Sequence, residues 1–263
     1  MFAAAAGLVN KDFDAQRFLS VAAITDETQR KAVNTLTRDF KKYGVWTKSN
    51  IIYPFVGGAA TPHSYNLKNP SANQITWNGT VTHNSNGITP NGTTGYGNTG
   101  FSVSANLTIN SMHQSIYIRS NVDEARTDCG VFGTGSDAFY INSRNGNQLQ
   151  VTLGGVTSGQ EFLTPVNNDS RGLFTSNRTG TAISAVNAFK NGTAQANNTA
   201  TAAGSIASLG NIFIGCDNNN GSAAFFSTKN IAYYDAGTGL TGTEEANRYT
   251  AIQAFQTALG RNV

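Results

Sequence analysis

The stretch AFYINSRNGNQLQVTL (138–153) decides how this chain is read. Two runs rich in β-branched and aromatic residues, 138–143 and 148–153, flank Arg144-Asn145-Gly146-Asn147. An Asn-Gly pair suits a tight hairpin turn, whose two central residues need positive φ. The same pattern extends outward in both directions. Lys190-Asn191-Gly192-Thr193 turns a second hairpin within ISAVNAFKNGTAQ (183–195), and IIYPFVGG (51–58), QITWNGTVTH (74–83), QSIYIRS (114–120), GLFTSNR (172–178), NIFIGC (211–216) and NIAYY (230–234) read as further strands bounded by turn residues. With no helical segment between them, so many strands must pair largely antiparallel and stack as two sheets.

Helices frame this region. Residues 12–22 carry Phe13, Phe18 and Leu19 at helical spacing. A second helix follows, with Thr25 as its cap, Asp26 and Glu27 where the helix dipole favours acids, and Val33, Leu36, Phe40 and Tyr43 at spacings of three and four before Gly44 stops it. At the other end Thr241-Gly-Thr-Glu244 forms a capping box for a helix over 242–259, with Tyr249, Ile252, Phe255 and Leu259 as its apolar stripe and Gly260 as its end. The chain therefore divides into a helical segment, 1–44, and a sandwich, 45–263. The stripe Val33, Leu36, Phe40 and Tyr43, with Phe2, Phe13, Phe18 and Leu19 upstream, is a candidate assembly contact with a neighbouring subunit, or else packs on its own sandwich.

Composition narrows the functional classes. Charged residues make up 13% of the 263, so the surface rests on amides and hydroxyls. Between Asp39 and Asp123 there is no carboxylate, and the chain holds three histidines, His63, His83 and His113, without ligand spacing. A net charge of +3 with dispersed basic residues and no aromatic stacking motif gives no nucleic-acid footprint. Cys129 and Cys216 read as buried free thiols. No stretch approaches the length of a membrane span, and the opening MFAAAAGLVNKD lacks the basic start of a signal peptide. No Gly-x-Ser-x-Gly elbow, phosphate-binding Gly-Lys-Ser/Thr loop or His-x-x-x-His pair is present.

The order of elements resembles the concanavalin A-like lectin and laminin-G-like jelly rolls. The residues that carry the resemblance are Phe189-Lys190-Asn191-Gly192, Ile214-Gly215, the loop Asp217-Asn-Asn-Asn-Gly221, Phe225-Phe226, Ile231-Ala-Tyr-Tyr234 and Leu240-Thr-Gly-Thr-Glu244. It implies a mainly β fold, an antiparallel two-sheet jelly-roll sandwich with an N-terminal helical segment and a C-terminal capped helix. A narrower likeness, through Tyr43-Gly-Val-Trp-Thr47, Ile52-Tyr-Pro-Phe-Val-Gly-Gly58, Asn66-Leu-Lys-Asn-Pro70, Asn91-Gly-Thr93 and Ala254-Phe-Gln-Thr-Ala-Leu-Gly-Arg261, is to structural and tail-associated proteins of tailed bacteriophages. That likeness implies a virion setting, with capsid or tail proteins and further copies of the chain as partners.

The glucanase branch of the same superfamily uses Glu-x-Asp-x-x-Glu, a string missing here, where Glu161 stands alone and Asp123-Glu124 would face opposite ways if extended. The expectation is a non-enzymatic bacteriophage virion protein that displays a lectin-like jelly roll to a host-surface glycan; the alternative is a bacterial cell-surface carbohydrate-binding module. Sugar recognition needs an aromatic platform with loop amides and acids, which makes Trp77, Tyr96, Asp217 and Asn218 the candidate contacts. Asp217 is also a candidate calcium ligand at the sandwich rim, with no other cofactor expected.

Overall fold

The computed structural model describes residues 11–135, 137–155, 162–163, 166–195 and 204–263. Phe2 and Glu161, together with residues 196–203 of the stretch 191–209, whose Ala, Asn, Thr and Ser content reads as a loop, lie outside the described residues. The fold is mainly β: two stacked sheets with helices at both ends of the chain. The first sheet runs Thr193–Ala194, Val186–Lys190, Gly172–Arg178, Met112–Ile118, Ile231–Gly237, Gly87–Pro90, Val81–Asn84, with Ser49–Tyr53 also paired to Ile231–Gly237. The second runs Phe162–Leu163, Gln148–Leu153, Ala138–Asn145, Cys129–Phe132, Asn211–Ile214, Tyr96–Ser102, Thr76–Asn78.

The two hairpins quoted above form, with one shift of register. Asn191 and Gly192 adopt φ of 52° and 72° between paired Lys190 and Thr193. In the other hairpin Asn145 pairs with Gln148, so the central residues are Gly146 and Asn147, at 58° and 61°. Both Asn and Gly tolerate the left-handed region, so the sequence Asn-Gly-Asn allows either placement. The run 74–83 is not one strand. Thr76–Asn78 joins the second sheet and Val81–Asn84 the first, with the chain crossing between sheets at Gly79, whose φ is 59°. The Asp217-Asn-Asn-Asn-Gly221 loop is instead a hairpin: Asp217–Asn219 pairs with Ser222–Ala224 around Asn220 and Gly221, and runs parallel to Cys129–Phe132.

Period-2 alternation sorts side chains between layers. Ile116, Ile118, Phe174 and Tyr234 of the first sheet meet Cys129, Val131, Phe139, Ile141, Val151 and Ile214 of the second in the inter-sheet core. The alternate residues of the first sheet, Tyr117, Leu173 and Tyr233, face a second apolar layer built with Phe18, Leu19, Val33, Leu36, Phe40, Ile252 and Phe255. Helices Phe13–Val21, Glu27–Lys42 and Gly242–Ala258 therefore cover the outer face of the first sheet.

This placement corrects the assembly-contact expectation. Val33, Leu36 and Phe40 are buried within the chain, with half-buried Tyr43 packed against the same layer, so these three side chains have no free surface to offer a neighbour. Phe13, by contrast, is 77% exposed. The second helix is capped by Asp26, not Thr25: the Asp26 carboxylate accepts from the Gln29 N–H at 2.8 Å. The Thr241–Glu244 capping box is present in both directions.

Under the C-terminal helix lies a buried ionic cluster that the sequence did not announce. Arg248 donates to Asp235 at 2.6 Å and to Glu245 at 2.7 Å, and also to Ser115 and Thr175, with none of these side chains reaching solvent. Cys129 and Cys216 are both buried and unbridged. Among the described residues no helix is long and apolar enough to cross a membrane.

Candidate functional site

Among the described residues the three helices Phe13–Val21, Glu27–Lys42 and Gly242–Ala258 occupy one face of the sandwich, and none of them covers the outer face of the second sheet. Alternation places Tyr140 and Asn142 from Ala138–Asn145, Gln150 from Gln148–Leu153 and Phe132 from Cys129–Phe132 on that face, because their neighbours Phe139, Ile141, Val151 and Val131 fill the core. Gly130 pairs with Tyr140 on one side and with Asp217 on the other. A Cβ at Gly130 would collide with Tyr140, so the missing side chain opens the sheet surface at this point.

The result is a depression of about 260 Å³ lined by Arg126, Phe132, Tyr140, Asn142, Asn145, Gln150, Asp217 and Phe225, among others. Phe225 forms a 51% exposed aromatic wall, held in place because the Thr127 N–H donates to its carbonyl at 3.0 Å. Asp217 is 3% exposed, and its Oδ1 has no hydrogen-bond partner within the protein; the same holds for the buried Oδ1 of Asn142. Two residues that line one depression thus each hold a buried acceptor with no donor to meet it within the protein. Buried polar atoms are rarely left so, since each costs about 1–3 kcal/mol unmatched. Burial also pushes the Asp217 carboxyl up from 3.8 to about 7, so it is half-protonated near neutral pH.

The four expected sugar contacts do not converge. Asp217 is in the depression. Asn218 lies in an adjoining hollow beyond Phe132, where its side chain is spent on the Asn211 carbonyl at 2.7 Å and the Gly221 N–H at 2.8 Å. Tyr96 stacks on Phe213, ring centroids 4.7 Å apart, and does not line the depression. Trp77 packs at the sandwich edge, 4.6 Å from the His83 ring, with its indole N–H on the Ala60 carbonyl at 2.9 Å. Sequence reasoning missed Tyr140, Asn142, Gln150 and Phe225. The alternation within AFYINS already put Tyr140 and Asn142 opposite Phe139 and Ile141, and was the available signal. As for calcium, Asp217 gains no companions: among the described residues no three His, Cys, Asp or Glu side chains gather as a metal site, and calcium takes six to eight oxygens.

No family model and no curated protein matches the chain. Solved structures do share its fold. A mutant of Trypanosoma rangeli sialidase displaying trans-sialidase activity superposes with a TM-score of 0.54 at 11% identity, over 86% of this chain and 39% of that one. Trypanosoma rangeli sialidase with 2,3-difluorosialic acid, a covalent intermediate, gives 0.52 at 11%, over 84% and 38%. Botulinum neurotoxin type C, described as depending on two ganglioside molecules for cell entry, gives 0.54 at 14%, over 81% and 53%. The chain thus spans about two-fifths of the sialidase and half of the neurotoxin chain. The chain shares its two-sheet jelly-roll sandwich fold with part of these sialidase and neurotoxin chains.

Three expectations are corrected by these likenesses. A bacteriophage setting is unsupported: the solved structures named above as sharing the fold are of sialidases and a neurotoxin. Capsid, tail and virion partners fall with it. The expectation of a protein without catalysis fails as well, because chains of catalytic sialidases share the fold, so the fold gives no ground for excluding turnover.

Proposed function

We propose that the chain is a carbohydrate-binding module and that the depression around Asp217 is its glycan site. The observation that carries this reading is the pair of unmatched buried acceptors, Asp217 Oδ1 and Asn142 Oδ1, set beside the exposed Phe225 ring. Adjacent sugar hydroxyls supply two donors once the Asp217 and Asn142 side chains turn toward the depression, and the apolar face of a sugar ring covers an aromatic wall. Exposed Arg126 and the Gln150 amide add donors at the rim. Solved structures that share the fold include a sialidase with 2,3-difluorosialic acid and a neurotoxin whose cell entry depends on gangliosides, which favours glycans as the ligand class. Calorimetric titration with sialylated and neutral oligosaccharides tests the reading: saturable binding that Asn142→Leu abolishes supports it, and no heat with any glycan refutes it.

A second reading, glycoside hydrolysis, is favoured by one feature. A carboxyl that titrates at about 7 inside a ligand groove holds a proton at working pH, as a general acid must. Release of a fluorogenic aglycone by the wild type, lost in Asp217→Asn, would establish it.

A further inference from the structure

Lys229 and Asp128 form an ion pair sealed from solvent on the chain between the two sheets, with neither side chain exposed at all. Lys229 Nζ lies 3.2 Å from each carboxylate oxygen of Asp128. Equal distances to both oxygens put the carboxyl carbon itself about 3.5 Å from the nitrogen, at the outer edge of near-attack range, so that the amine needs only to rise out of the carboxylate plane to reach its face. Each oxygen is also held by a donor: Oδ2 by the Ser143 N–H at 2.7 Å, and Oδ1 by the Ser227 hydroxyl at 2.9 Å. A third polar group completes the arrangement. Glu124 Oε1 lies 4.0 Å from Nζ and 2.9 Å from the same Ser227 hydroxyl, and is fixed by the Thr228 N–H at 3.0 Å.

We infer that Lys229 and Asp128 join spontaneously as an intramolecular isopeptide bond, with Glu124 as proton shuttle. One proton passes from Nζ to Oδ1 of Asp128, and the neutral amine attacks the carboxyl carbon. The developing oxyanion at Oδ2 rests on the Ser143 N–H, a backbone donor already in position. A second proton leaves Nζ through Glu124 and the Ser227 hydroxyl to Oδ1, which departs as water. One C–N bond forms and one C–O bond breaks; the ammonium keeps one hydrogen as the amide N–H and gives two to the water. No oxidant, metal or co-reactant enters. Burial drives the exchange, since it replaces two desolvated charges with a neutral amide. The bond would tie Asp128, at the head of Cys129–Phe132 in the second sheet, to Lys229, just before Ile231–Gly237 in the first.

Intact mass spectrometry of the folded full-length chain is the test, followed by peptide mapping. The expected result is a mass one water (~18 Da) below that of the sequence, with a branched peptide joining Asp128 to Lys229. Lys229→Arg keeps a cation beside Asp128 and returns the full mass; Glu124→Gln slows the loss. A full sequence mass in folded wild-type protein after prolonged incubation overturns the inference, as does a loss of water that maps elsewhere in the chain. Because the wild-type peptide map decides by itself, a variant that fails to fold leaves the test intact.

Discussion

Replacing Asp217 with Asn keeps the side-chain shape and removes a charge that burial disfavours. The folded carboxyl titrates at about 7, against 3.8 for the ordinary group. Between those values the folded chain binds a proton that the unfolded chain has lost, so stability falls as pH rises. At about 1.4 kcal/mol for each pH unit, the cost reaches about 4 kcal/mol once the group is ionised in both states. Asn bears none of it. Urea denaturation of both proteins from pH 4 to pH 9 should give matching stabilities at the acid end. The Asn variant should then lead increasingly, by about 4 kcal/mol above pH 8, while the other titrating groups cancel between the pair. A stability difference that stays constant over that range refutes the reasoning, because it means the carboxyl is hydrated or paired. Ligand binding runs the other way. Sugar hydroxyls that donate to Asp217 favour its ionised form, so wild-type affinity should strengthen as pH rises through 7 and stay flat in the variant.

The remaining predictions concern other residues. Phe225→Ala, at a half-exposed wall, should weaken glycan binding about tenfold in calorimetry with little change in stability, whereas Trp77→Ala should leave affinity alone and lower the denaturation midpoint. Leu36→Ala should cost about 2–5 kcal/mol in urea unfolding, since its side chain is consumed inside the chain; a neutral result would restore it as an interface residue. Arg248→Ala should cost about 3–5 kcal/mol by stranding Asp235 and Glu245 without their cation, and Arg248→Met with Glu245→Leu should recover part of that in the same assay.

Local chemistry was legible wherever one short segment contained it. The capping box at Thr241 and the turn at Asn191-Gly192 need only adjacent residues, and the helix stripe needs only periodicity. The depression was not legible, because Asn142, Asp217 and Phe225 meet only through strand order, in which Cys129–Phe132 lies between Ala138–Asn145 and the Asp217 hairpin. Asp217-Asn-Asn-Asn-Gly221 looked like a loop because Asp and Asn are poor strand formers, yet parallel pairing to Cys129–Phe132 overrides that preference. Trp77 was a reasonable sugar platform by residue type, but its indole N–H already has a carbonyl. Glu245 sits in the first helical turn, where the dipole favours an acid, yet the structure uses it as a partner for Arg248, a contact set by how the helix docks on the sheet.

Glycan recognition in the depression on the outer face of the second sheet is our central proposal. A glycan-array comparison of the wild-type chain with Asn142→Leu, at pH 8 where Asp217 is ionised, addresses it most directly. Selective binding by the wild type to a defined group of glycans, with a blank array for the variant, is the expected result. Binding that survives the substitution, or a blank array for the wild type, would contradict it.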